Sequence, residues 1–252
     1  MIASLPMYDR PENASAHDVL WALIRDALRA EGVPAPEALN REVGIWDGWQ
    51  SPDLVVGQIC GLPLRAKLHD RVELIATADY GLPNTPAGHY RSVFVVRQND
   101  SENIADYADK IFAYNEENSQ SGWASPQSFA QDLGFQFQNI HKTGAHRQSA
   151  IDVAAGVADI AALDAISWRH IAAHDLAAKK LNVIGHTQAT PGLAFIAAKG
   201  TDTRPHLRAV TSAIAALPND ARLTLGVRGV ARIPLSAYLA VPTPPAASAS
   251  PV

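Results

Sequence analysis

The segment from Asn115 to Gly122 carries the residue types of an anion-binding loop. Two small hydroxyl residues, Ser119 and Ser121, precede Gly122 between a predicted strand and a predicted helix. The backbone amides at a helix start lie at the positive end of the helix dipole, and serine hydroxyls add donors without blocking a ligand. The pattern therefore predicts an oxyanion cradle that includes Asn115. Its alternative interpretation is a capped turn in contact with solvent.

A second loop of the same kind follows farther along the chain. Thr143, Gly144, Ala145 and His146 come after a predicted strand and lead into a helix with Ser149 in its first turn. Two helix starts can converge on one ligand, because the carboxyl ends of parallel strands meet at one edge of an open α/β sheet. His146 can donate to an anion when protonated and can adopt either tautomer when neutral. The alternative is a purely structural histidine.

Two strand ends near the amino terminus are also polar. The apolar run 2–7 ends at Tyr8, and the run 53–64 breaks into a glycine- and proline-bearing turn where Gln58 and Cys60 stand. Trp46 lies in GIWDGWQSPD, just before that second strand. It is a candidate to line a binding pocket, although tryptophans at such spacing more often pack in a core.

Catalytic and metal-binding interpretations have weaker support. Cys60 could be a nucleophile with His146 as its base, but its apolar neighbours supply no cation to activate the thiol. His170 and His174 stand at helical spacing beside Asp175, yet the glutamate of a zinc-protease helix is missing. Phosphate-binding loops of the Walker type, dinucleotide fingerprints and serine elbows are lacking in the sequence. We therefore predict no catalytic residue, no metal and no cofactor.

Composition narrows the classes of partner. Apolar residues make up 47% of the 252, charged residues only 18%, and the net charge is -4. Such a chain has no basic surface to neutralise a row of phosphates, so no nucleic-acid partner is expected. It has no apolar stretch of about eighteen residues, so no membrane insertion is expected. The opening MIASLPMYDRPE lacks the basic and apolar regions of a signal peptide, which predicts a cytoplasmic location for the chain as written.

The alternation of strands and helices predicts two α/β lobes. The pattern restarts after a polar break at 98–102, so the first lobe is predicted to comprise 1–97 and 199–240, and the second 98–198. The last segment, 241–252, consists mainly of proline, alanine and serine and is predicted to be a loose tail. The predicted strands cover 2–7, 53–64, 72–78, 92–97, 110–114, 135–140, 159–163, 181–184 and 193–198.

Five segments, in the same order and spacing, resemble the phosphate/phosphite/phosphonate type of transporter substrate-binding protein. They are SPDLVVGQICGLPL, YRSVFVVR, AYNEENSQSG, TGAHRQSAIDVAAGVADIAALD and TPGLAFIA. The resemblance covers nearly the whole chain. It implies the periplasmic-binding-protein type 2 fold, in which two lobes with mixed sheets and flanking helices are joined by two crossover strands that act as a hinge.

The function of this family is the leading hypothesis for the function of the chain. The resemblance implies a periplasmic solute-binding protein that is monomeric or weakly dimeric. Such a protein closes by hinge motion on a small phosphonate, phosphate-like or organic-acid ligand. It then delivers the ligand to an ABC permease. It implies ligand contacts from Tyr8, Gln58, Tyr90, Asn115, Ser119, Ser121, Gly122, His146, Ser149 and Asp164. The carboxylate of Asp164 would accept from a protonated ligand group or an amine.

Two other functions remain open on the same scaffold, since a fold does not fix a function. The first is an unexported enzyme acting on a small metabolite, with His146 paired to Asp164 or to Cys60. The second is a ligand-sensing module that signals to another protein without transport.

Overall fold

The computed structural model describes residues 1–246 and divides the chain into two compact units. The first contains Met1–His89 and Pro191–Ala240, and the second contains Tyr90–Thr190 together with the described residues from Val241 onward. The chain passes between the units at short strands that form a two-stranded sheet of their own. No helix among residues 1–246 is both long and apolar enough to cross a bilayer.

The strands are β1 (Ile2–Ser4), β2 (Leu54–Ile59), β3 (Val72–Asp79), β4 (His89–Tyr90), β5 (Ser92–Arg97), β6 (Phe112–Tyr114), β7 (Ile140–Lys142), β8 (Ile160–Asp164), β9 (Leu181–His186), β10 (Thr190–Pro191), β11 (Ala194–Ala198) and β12 (Gly229–Ala231). The α-helices are α1 (Ala14–Ala30), α2 (Ile45–Gln50), α3 (Gly61–Pro63), α4 (Ser125–Asp132), α5 (His146–Ala155), α6 (Ala165–His174), α7 (Thr203–Ala216), α8 (Asn219–Leu225) and α9 (Leu235–Leu239). Leu64–Leu68 and Gln120–Ala124 are π-helical turns, and Ile104–Tyr107 and Leu176–Lys180 are 3₁₀ turns.

The sheet of the first unit has the strand order β1-β2-β11-β3-β12. β1 runs parallel to β2, and β11 lies antiparallel to both β2 and β3, so β1, β2 and β3 point in the same direction. Helices α1 and α7 pack on one face of this sheet because each carries an apolar stripe at helical spacing. They bury a core cluster that includes Trp21, Ile24, Leu28, Phe195 and Val210.

The sheet of the second unit has the strand order β7-β6-β8-β5-β9. β7, β6 and β8 are parallel, whereas β5 is antiparallel to both of its neighbours. The central strands β5 and β8 are nearly continuous apolar runs and are buried along almost their whole length. This is the pattern of strands that are covered on both faces of a sheet. Phe94, Phe112 and Phe137 form the middle of this core, and the last two rings stack 4.3 Å apart.

This topology places polar residues at one edge of the second sheet. Asn115 directly follows β6, Thr143 directly follows β7, and Asp164 is the last residue of β8. Since these three strands are parallel, their carboxyl ends meet at the same edge. The two loops predicted from the sequence to bind an anion therefore start side by side.

The division into units differs from the predicted lobe boundaries in two strands. The prediction joined 92–97 to the first lobe and 193–198 to the second. In the structure, β5 lies between β8 and β9 in the second sheet, and β11 lies between β2 and β3 in the first. The membership of a strand is decided by its ladder partners, and these are distant in sequence.

One hydrogen bond joins the predicted loose tail to Trp123. The indole Nε1 of Trp123 donates a hydrogen bond to the carbonyl oxygen of Pro245 at 3.1 Å. A segment poor in apolar bulk can still be positioned by such a bond to its backbone. The loose tail itself stays a prediction. Residues 247–252 of the predicted tail lie outside the described residues.

Candidate functional site

The first predicted anion loop ends in a helix start capped by serine. The helical turn Gln120–Ala124 continues directly into α4, and Ser119 is its N-cap residue. The Ser119 Oγ accepts a hydrogen bond from the backbone N–H of Gly122 at 2.9 Å. Ser119 and Ser121 are both buried. The loop is therefore fixed by hydrogen bonds within the chain itself.

Loss of the Ser119 cap is expected to destabilise the protein. In Ser119→Ala the amide of Gly122 loses its buried acceptor, so the free energy of unfolding should fall by about 1 kcal/mol, the usual cost of losing an N-cap. Urea denaturation of both proteins measures the difference. Ser128→Ala, inside α4, is the matched control and should be close to neutral. Equal stability of Ser119→Ala and the wild type would contradict the capping role.

The second predicted loop is fixed from both of its ends. The Oγ1 of Thr143 lies 2.7 Å from the Oγ of Ser149 and 3.1 Å from the carbonyl oxygen of Tyr114. The amide of Gly144 donates to the carbonyl oxygen of Asn115 at 3.0 Å. Ser149, predicted as a ligand contact, is thus engaged in holding the loop that precedes His146.

The two loops meet at one hydrogen bond. The Oγ of Ser121 lies 2.9 Å from the Nε2 of His146, the first residue of α5. The Oγ of Ser92, at the start of β5, donates to the carbonyl oxygen of Ser121 at 2.8 Å. The structure therefore brings together Ser119, Ser121, Gly122 and His146 from the predicted set, while Ser92 was missed because nothing in its own segment distinguishes it.

Gly122 is required where it stands. A Cβ built on it would lie 1.9 Å from the Oδ1 of Asn115 and 3.2 Å from the Cε1 of His146. No pair of non-bonded heavy atoms tolerates the first distance. The absence of a side chain at Gly122 therefore lets Asn115 and His146 approach the same point of the helix start.

The site relies on neutral groups. Burial lowers the pKa of His146 to about 4. The imidazole is therefore uncharged at neutral pH, with one N–H and one acceptor nitrogen. Hydroxyl groups, a neutral imidazole and a helix start can bind an oxyanion without a fixed positive charge.

Two other predicted contacts of this unit have structural surroundings of their own. Asp164 is the N-cap of α6, and its Oδ1 accepts from the amides of Ile166 and Ser167 at 2.7 and 3.0 Å. Tyr90 is buried in β4. Asp164 lies at the same sheet edge as the two loops, but the partner of the His146 Nε2 is Ser121 and not Asp164.

In the first unit, Tyr8 and Gln58 line a small recess with two residues that the sequence interpretation missed. The rings of Tyr8 and Tyr80 meet edge to face at 5.0 Å, and Gln58 donates to the Tyr80 hydroxyl at 3.2 Å. His17 also lines this recess. Tyr80 follows β3 as Tyr8 follows the run containing β1, and this shared position at a strand end was an available signal.

Trp46 is not part of this group. Its ring packs at 5.3 Å against Trp49, and the Nζ of Lys67 lies 5.1 Å from the Trp46 ring centre. These residues adjoin a core cluster that includes Ile59 and Tyr238, whereas the recess adjoins the cluster of Leu20 and Phe195. The structure places Trp46 in packing of the first unit, apart from Tyr8 and Gln58.

The sequence also offered a zinc site and a pair of Cys60 with His146. Residues 1–246 contain no group of three side chains able to hold a metal ion. Asp175, one of the residues considered for zinc, forms an ion pair with Arg147. Cys60 belongs to the first unit and His146 to the second.

The fold and the site define a class of protein. Two α/β units, each with a mixed sheet and flanking helices, are joined by paired strands, as in periplasmic-binding-protein folds. Residues 61–233 match the family described as ABC transporter, phosphonate, periplasmic substrate-binding protein. The chain belongs to this family of phosphonate ABC transporter substrate-binding proteins.

Solved structures share the fold at low sequence identity. PhnD1 from Prochlorococcus marinus, in complex with methylphosphonate, has a TM-score of 0.70 and 18% identity over 94% of each chain. XAC2383 from Xanthomonas citri, bound to ATP, has a TM-score of 0.65 and 14% identity, covering 89% of this chain and 94% of that one. A binding protein component of an ABC phosphonate transporter from Pseudomonas aeruginosa has a TM-score of 0.63 and 16% identity, covering 88% and 76%. No curated protein matches by sequence.

Proposed function

We propose that the protein binds a small oxyanion, phosphonate-like, phosphate-like or a small organic acid, as the solute-binding component of an ABC-type uptake system. The observation that carries this proposal is the 2.9 Å hydrogen bond between Ser121 and His146. It joins two loops at the carboxyl edge of one sheet, where helix starts direct amide groups outward. The anionic group would lie against Ser119, Ser121, Gly122 and His146.

The composition of the site favours an anion of this class. Its donors are the Ser119 hydroxyl, a neutral ring and backbone amides, which suit the several oxygens of a tetrahedral headgroup. Members of the family bind substrates for phosphonate transporters, and PhnD1 from Prochlorococcus marinus was solved with methylphosphonate. Tyr8, Gln58, Tyr90 and Asp164 stay part of the proposal as contacts to the remainder of the ligand.

We propose binding without catalysis. A serine hydroxyl beside a histidine resembles the start of a hydrolytic triad. A general base works best when its pKa is near the working pH, and burial lowers the pKa of His146 to about 4. Asp164, the acid that could orient this histidine, uses its Oδ1 to cap α6. These features support a site that holds its ligand unchanged.

Calorimetric titration of the full chain with methylphosphonate, inorganic phosphate and acetate tests the proposal, followed by mass spectrometry of the recovered ligand. We expect at least one of these anions to bind with a dissociation constant of about micromolar or tighter, near -8 kcal/mol, and to be recovered intact. Chemical conversion of the bound anion would favour an enzyme. A lack of binding by all three anions would contradict the proposed ligand class.

A further inference from the structure

Two buried polar atoms beside Gly122 have no hydrogen-bond partner among residues 1–246. They are the Oδ1 of Asn115 and the Nδ1 of His146. Both side chains approach the Cβ position of Gly122, to within 1.9 Å for Oδ1 and 3.2 Å for the Cε1 of His146. Buried polar atoms in native proteins are nearly always paired, so two unpaired atoms at one place call for a partner.

The two atoms differ in what they can offer. The Oδ1 of an asparagine is only an acceptor, whereas the Nδ1 of a neutral histidine donates in one tautomer. The Nε2 of the same ring already has Ser121 as its partner. If Ser121 donates to Nε2, the proton of the neutral ring sits on Nδ1. The pair then presents one donor and one acceptor.

Several of the titratable groups on the elements around His146 are paired or uncharged. Burial is the cause that lowers the pKa of His146, and Tyr114 keeps its proton because burial raises its pKa. His186 on β9 has its pKa lowered by burial and by Arg91. The pairs on the surrounding elements are Lys142 with Glu116 and Glu117, Arg147 with Asp175, His141 with Asp152, and Arg97 with Asp159. Asp164 caps α6, and the other titratable groups of α6 and its following turn are Arg169, His170, His174, Lys179 and Lys180.

We infer that Asn115 and His146 make the site selective for an oxyanion headgroup that still carries one proton. An O–H of the headgroup would donate to the Oδ1 of Asn115, and an ionised oxygen would accept from the Nδ1 of His146. A fully ionised headgroup would leave Asn115 without a donor and would place a negative oxygen against its Oδ1. The inference rests on the proposed function and adds a specificity-determining residue, Asn115, to it.

This inference separates two ligands of similar size and shape. Methylphosphonate loses its second proton near neutral pH, whereas methanesulfonate carries no proton at any pH of interest. A site built to pair with a ligand O–H discriminates strongly against an analogue that lacks it, because its own buried group then stays unpaired. The proton on the headgroup would thus determine which of the two is captured.

Calorimetric titration of the 252-residue chain with both probes between pH 5.5 and pH 8.5 tests the inference. At pH 6 we expect methylphosphonate to bind at least about 100-fold more tightly than methanesulfonate. Above the second ionisation of methylphosphonate, its affinity should fall about tenfold for each pH unit, as the competent monoanion becomes scarce. Methanesulfonate reports any titration of protein groups, because the ligand itself does not titrate.

Similar affinity for the two probes, or a methylphosphonate affinity no more sensitive to pH than that of methanesulfonate, overturns the inference and leaves the proposed function standing. Binding of neither probe overturns the inference, and it overturns the proposed function as well if inorganic phosphate and acetate also fail to bind. Asn115→Ala should reduce the preference for methylphosphonate by about tenfold or more, while Asn139→Ala, at an exposed position, should keep it. The wild-type pH profile decides the matter even if Asn115→Ala does not fold.

Discussion

Replacing His146 with alanine is expected to weaken methylphosphonate binding by about 10- to 100-fold. The imidazole is the point where the two loops meet, since its Nε2 lies 2.9 Å from the Oγ of Ser121. In the proposed site it also faces the anionic group. A hydrogen bond to a charged group contributes about 1.5–3 kcal/mol, which corresponds to this range of affinity. Isothermal titration calorimetry of the variant and the wild type measures the change.

His141→Ala is the matched control for this experiment. His141 lies on β7 of the same unit and pairs with Asp152 at 2.8 Å, apart from the bond between Ser121 and His146. Its loss should change methylphosphonate affinity by less than about threefold, because neither residue belongs to the proposed cradle. Equal effects of the two substitutions would show that binding does not depend on His146 in particular.

The substitution Gly122→Ala is expected to abolish measurable methylphosphonate binding and to lower the free energy of unfolding by about 1–3 kcal/mol. The new methyl group would lie 1.9 Å from the Oδ1 of Asn115, so the Asn115 side chain must rotate away within a buried site. That movement displaces a side chain of the cradle and crowds His146 as well. Titration calorimetry and urea denaturation follow the two effects separately.

Gly229→Ala tests whether any glycine substitution has these effects. A Cβ at Gly229 meets no atom of the described residues within 4 Å, and Gly229 lies in β12 of the first unit. We expect its stability to be near that of the wild type and its methylphosphonate affinity to be unchanged. If Gly122→Ala kept full affinity, the crowded helix start could not be where the ligand binds.

The elements that the sequence predicted best are those with a strong local pattern. SVFVVR predicts a buried strand at 92–97, and β5 has these bounds. Gly156 was expected to end a helix, and it ends α5 in the left-handed conformation that glycine adopts without strain. The convergence of two helix starts could be anticipated because parallel strands align their carboxyl ends.

The predictions that failed concern elements whose structure depends on partners distant in sequence. The strand predicted near 135–140 begins only at Ile140, since Gln127 of α4 hydrogen bonds to both the amide and the carbonyl oxygen of Phe137. That apolar segment fills the core as a loop. The unit to which β11 belongs follows from its pairing with β2 and β3, which its own residues do not encode.

The candidate site could also be predicted from the sequence only in part. The residue types and spacing of Ser119, Ser121, Gly122 and His146 are enough to indicate a cradle, because each residue stands beside a predicted helix start. The role of Ser149 in holding Thr143, and that of Asp164 in capping α6, emerge only from hydrogen bonds in three dimensions. Both residue types suit either role, so sequence alone could not assign them.

A crystal structure of the full chain with methylphosphonate tests the central claim most directly. We predict that the phosphonate oxygens lie within hydrogen-bond distance of the Ser119 Oγ and the His146 Nδ1, with the protonated oxygen beside the Oδ1 of Asn115. Methylphosphonate bound away from Ser121 and His146, for example in the recess of Tyr8 and Tyr80, would contradict the assignment of the binding site.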